Sequence, residues 1–146
     1  MSKTTLLTVV SILALLAISF VVMRSMSTPQ NTAADASAEG RWLQETIQCA
    51  AYYDLSAQIL SGMDVPQMAA VAGRLAGSAQ QARALAQAKA DTSEVEQRIL
   101  AAQSEMRAAM PNAQSLGPLM TQYKGPCQSL MSDPDARMAY WEQQAG

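Results

Sequence analysis

Two cysteines constrain this chain more than any other feature: Cys49 in the run "IQCAAYYDLS" and Cys127 in "KGPCQSLM", the only pair in 146 residues. Reactive pairs normally sit close together with a lowered thiol pKa, and metal-binding pairs carry short repeated spacings; neither pattern is present. A lone long-range pair fits a structural bridge in an oxidising compartment. A Cys49–Cys127 bond closes a loop of about 79 residues, for which chain entropy gives roughly 4.5 kcal/mol, an upper figure because strain and residual structure reduce it. A whole domain is stable by only about 5–15 kcal/mol, so one such bond is expected to be a large share.

The fold that brings these positions together is expected to be all-α. Alanine, glutamine and methionine are abundant, valine and isoleucine are thin after residue 24, and the single phenylalanine is Phe20. That balance favours helix over sheet. An antiparallel bundle of about four helices returns the chain to its first member, which puts a late cysteine beside an early one.

The first 24 residues suggest the compartment. "TTLLTVVSILALLAISFVVM", Thr4 to Met23, has no charge, proline or glycine, with Lys3 before it and Arg24 after it. About 20 helical residues span about 30 Å, the thickness of a bilayer's hydrocarbon core. A signal peptide has a shorter apolar stretch of about 7–15 residues and a small-x-small site close behind it. Here the best such site, Ala36-Ser37-Ala38, lies well past Arg24. An uncleaved anchor over residues 1–24 is therefore expected. Lys3 and the amino terminus favour a cytoplasmic N-terminus, while Arg24 and Arg41 weaken the asymmetry. The cysteines tip the balance, placing a single-pass protein in the inner membrane with its C-terminal domain in the periplasm.

Residues 25–40, "SMSTPQNTAADASAEG", have almost no large apolar side chain and cannot offset their ordering entropy. They are expected to be a flexible tether whose alanine-rich end frays into helix. Residues 41–146 form the helical domain. Its first helix is expected from Arg41 to Ser61, with Trp42, Leu43, Ile47, Ala50, Ala51, Leu55, Ile59 and Leu60 at spacings of three and four. Gly62 suits a left-handed position after it. Asp64 is expected to cap a second helix, Val65 to Ala90, with Pro66 in its first turn. On that helix Gly73 and Gly77 are expected to let a neighbour approach closely. Ser93 with Glu96 has the spacing of a capping box, and Asp91 with Glu94 offers a second register, for a third helix to about Met110. Gly117-Pro118 and Gly125-Pro126 each suggest a break, giving a kinked or segmented fourth helix. Asp133-Pro134 opens a short fifth.

Composition excludes much chemistry. No histidine is present, which removes serine–histidine and cysteine–histidine nucleophiles and almost every zinc pattern. No glycine-rich phosphate loop occurs. Net charge is −2, without the basic stripe that nucleic-acid binding needs. Glu94, Glu96 and Glu105 fall at helix positions suited to solvated or capping roles, and Asp54, beside the tyrosines, is the carboxylate with the best claim to burial. No catalytic, cofactor-binding or metal residues are therefore assigned, and no enzyme activity is expected.

Aromatic residues collect near the bridge. Tyr52 and Tyr53 follow Cys49 by three and four positions, and Trp42, Tyr123 and Trp141 are expected to join them. They form either packing around the sulfurs or a ligand or peptide pocket. The favoured function is a membrane-anchored, non-enzymatic accessory module that contacts another envelope protein. One alternative is a copper or small-ligand carrier, since Met63, Met68, Met106, Met110, Met120, Met131 and Met138 offer soft thioethers, although methionine also fills helical cores. Another is an envelope spacer: an N-terminal anchor followed by helices resembles phage inner-membrane lysis subunits in layout. Those are usually charged coiled coils, whereas Gly62, Pro111 and Gly125 interrupt long heptads here.

Overall fold

The computed structural model describes residues 36–113 and 115–145. They form five helices: α1 Ala38–Ser61, α2 Pro66–Gln87, α3 Thr92–Ala109, α4 Gly117–Ser132 and α5 Pro134–Ala145. No strand occurs among the described residues. The expected anchor, residues 1–24, and most of the expected tether lie outside them. None of the described helices is long and apolar enough to cross a membrane.

α1 is the hub and touches all four other helices. It starts three residues earlier than its apolar pattern indicated, because Ser37 caps it by accepting a hydrogen bond from the Gly40 amide at 3.0 Å. Its expected single apolar stripe is too narrow. Glu45, Thr46, Cys49, Tyr52, Tyr53, Ser56 and Ala57 are buried along with Ile47, Ala50, Ala51 and Leu55. A helix enclosed by four others buries small polar side chains that a periodicity argument assigns to the surface.

α2 folds back along α1 through residues 62–65 and packs on it more extensively than any other pair does. The buried residues of α2 are all alanines: Ala72, Ala79, Ala82 and Ala86. The hairpin is therefore closed by methyl groups at short range. Gly62 does not take the left-handed conformation; its φ is −79° and ψ −7°. Val65, not Asp64, stands at the N-cap of α2, with no side-chain cap. Gly73 and Gly77 also depart from expectation. Both are exposed, and a Cβ at either meets nothing within 4 Å. No neighbouring atom packs against either position, so each glycine costs about 1 kcal/mol of helix propensity relative to alanine without a packing return. The Gly73→Ala/Gly77→Ala variant is expected to be about 2 kcal/mol more stable in urea unfolding. An unchanged or lower midpoint contradicts this.

α3 settles the two capping registers in favour of Asp91. Its Oδ1 accepts from the amides of Ser93 at 2.8 Å and Glu94 at 3.2 Å, while the Ser93 hydroxyl donates back to it. These bonds hold the Asp91 carboxyl below the usual carboxylate range. α4 is one continuous helix, not the segmented one that Gly125-Pro126 suggested; Pro126 lies inside it. Pro126 faces outward between buried Cys127 and exposed Lys124. The Gln122 carbonyl that loses an amide partner can be hydrated, while bridged Cys127 and fully buried Leu130 hold the segment helical. The largest fully buried side chains, Ile47 and Leu55 of α1, Val95 and Ile99 of α3 and Leu130 of α4, form the core.

Candidate functional site

α1 and α4 meet at the disulfide. Cys49 and Cys127 are joined by an S–S bond of 2.03 Å with Cα atoms 5.4 Å apart. Both are essentially inaccessible, at 1 % and 0 % exposure. A sulfur pair this deep is out of reach of external thiols while the fold is closed.

The five aromatic residues expected around it divide into two groups, although all belong to the core or pack against it. Tyr52, Tyr53 and Tyr123 form one. The Tyr52 ring lies 5.2 Å from that of Tyr53 and stacks 5.9 Å from that of Tyr123. Burial raises the phenol pKa of all three above the ordinary 10.0, with Tyr52 adding to the effect on Tyr53 and Glu105 to that on Tyr123. A raised folded value means that the neutral phenols are favoured in the fold, and stability falls as pH climbs above 10 through the folded values. An alkaline titration followed by phenolate absorbance is expected to show late ionisation that shifts toward pH 10 once the chain is unfolded. Coincident native and denatured curves contradict it.

Trp42 and Trp141 form the second group, around a buried carboxylate that sequence reasoning missed. Glu45 is 8 % exposed. Arg137 of α5 grips it in a bidentate pair, Nε donating to Oε2 at 2.9 Å and Nη2 to Oε1 at 2.7 Å. The Trp141 indole N–H donates to Oε2 at 2.6 Å. Trp42 donates to the Pro134 carbonyl at 3.2 Å. The Arg137 guanidinium also lies 4.3 Å from the centre of the Tyr140 ring. The hydrogen bonds it donates to Glu45 raise the Arg137 pKa further, so the guanidinium stays charged. The signal was in the sequence: Glu45 stands three residues after Trp42 and four before Cys49, on the face that both bury.

Asp54 is only half-buried. It accepts from Gln103 Nε2 at 2.7 Å, and Arg83 lies 3.8 Å away. Arg83 is also 2.9 Å from Glu96, which accepts from Gln87. Arg98 reaches Gln44 at 2.6 Å and Arg107 reaches Gln58 at 2.8 Å. These bonds lace α1, α2 and α3 along one polar seam. Glu94 pairs with Arg98 at 3.4 Å, one turn away.

Met106 is buried, and Met110, Met131 and Met138 pack against the core. Met63 lines a groove of 660 Å³ between α1 and α2, with Leu60, Ala69 and Gly73. No group of three or more cysteine, aspartate or glutamate side chains among the described residues is placed to hold a metal ion. Comparison with protein-family models, curated proteins and solved structures found no match to this chain.

Proposed function

We propose that this chain is a membrane-anchored, extracytoplasmic interaction module: a non-enzymatic helical domain tethered to the inner membrane that contacts other envelope proteins from the periplasmic side. The observation that carries this is the buried Cys49–Cys127 bond, which joins α1 to α4 across a sequence separation of 78. Bonds of this kind form and persist where thiols are oxidised. The uncharged stretch Thr4–Met23 supplies the anchor and residues 25–37 the tether. The polar groups support a scaffold over a reaction centre, since Glu45, Asp54 and Glu96 all bind side chains of neighbouring helices.

Photo-crosslinking of the full chain in its native membrane, followed by identification of the captured proteins, tests the assignment. Thiol labelling of the same preparation before and after reduction reports the compartment. The expected result is blocked cysteines until reduction and crosslinks to envelope proteins. Two freely reacting thiols in the unfolded, unreduced chain, or crosslinks confined to cytoplasmic proteins, contradict it.

A further inference from the structure

We propose that α5 is a latch: it detaches cooperatively from the Trp42–Glu45 face of α1 while α1–α4 stay folded. Each of the first four helices places buried residues in the core, and α5 places none. Its apolar contribution is the partial burial of Met138 and Trp141. What fastens it is polar and concentrated on one carboxylate: Arg137 and Trp141 both donate to Glu45. Burial of a charge pair returns little net free energy, because each partner regains its hydration on opening. An attachment of this kind separates more readily than an apolar one of the same extent.

The covalent design agrees. The loop closed by the disulfide ends at Cys127, so α5 lies beyond it and is not held by the staple. Asp133 alone separates α4 from α5, outside helical geometry with φ −153° and ψ 87°, and is positioned to act as the hinge. Two grooves already border the first turns of α5. One of 300 Å³ is lined by Ser129, Asp133, Ala136 and Tyr140, and one of 410 Å³ by Leu85, Ala88, Met131 and Pro134. At 12 residues, α5 is at the margin of what holds as an isolated helix, so opening is expected to be coupled to its melting. Opening uncovers an indole beside a carboxylate on α1. A segment that takes the place of α5 has to bring a cation to Glu45, as Arg137 does.

Both tryptophans of the chain, Trp42 and Trp141, lie at the latch, so their fluorescence reports its state. The experiment uses the full-length chain in detergent micelles, wild type and Glu45→Gln, with amide hydrogen exchange and iodide quenching as readouts. In the wild type, α5 amides are expected to exchange on the order of 100-fold faster than α1 amides flanking Cys49. Glu45→Gln keeps the side-chain volume and removes the charge. It is expected to speed α5 exchange about tenfold more and to raise quenching, with exchange in α1–α4 unchanged. Protection of α5 equal to that of α1 in the wild type overturns the proposal. So does a Glu45→Gln variant in which all five helices lose protection together.

Discussion

Replacing Cys49 and Cys127 together with alanine is expected to remove about 4 kcal/mol of stability, the cost of releasing so long a loop in the unfolded chain. For a domain of this size the thermal midpoint is expected to fall by on the order of 20 °C. The effect is large because the rest of the fold is lightly built. α2 contributes only alanines to the core, each burying little apolar area, and α5 contributes no buried residue. The bond also joins the hub helix to α4, so its loss frees the return of the chain to α1. Because both sulfurs are buried, a reductant is expected to act on the native protein only as fast as the fold opens. Melting curves with and without reductant, each scanned after unfolding in its own buffer, check this. Superimposed curves contradict it.

The second large effect is expected from adding bulk to the α1–α2 hairpin. Ala82 is fully buried where the two helices pack through methyl groups. Ala82→Leu has no space to occupy unless the helices separate, and a loss of about 3 kcal/mol is expected in urea unfolding. Ala84, two residues along the same helix, is exposed. Ala84→Leu is expected to change stability by no more than about 0.5 kcal/mol. The contrast separates packing from helix propensity, since both substitutions exchange the same two residues in one helix. Equal effects at the two positions contradict a close alanine seam.

Much of this architecture is legible in the residues. Apolar spacing, the Asp91 and Asp133 caps, and the prolines at 66, 118 and 134 mark the helices to within a few residues, because these signals act within one turn. The pairing of the cysteines follows from their being the only two. The departures share a cause: signals that act within one turn do not decide contacts between distant helices. Gly125-Pro126 reads as a break, yet the bridge at Cys127 and the burial of Leu130 carry the helix through it. Gly73 and Gly77 read as a packing face, yet the neighbouring helix lies against Ala72 and Ala79 instead. The five aromatics read as one cluster, yet the Trp42 indole bonds the Pro134 carbonyl and that of Trp141 bonds Glu45, where α1 meets α5.

Covalent and one-turn chemistry is written along the chain: which residues are helical, which cap them, and which two sulfurs have only each other. Those choices involve neighbours in sequence or leave no competitor, so no knowledge of the packed state is needed. The partner of Glu45, the closeness of the α1–α2 seam and the shallow seating of α5 belong to the packed state alone. Each depends on atoms that come together only once the helices are assembled, and on how much water that assembly excludes from a charge or a methyl group.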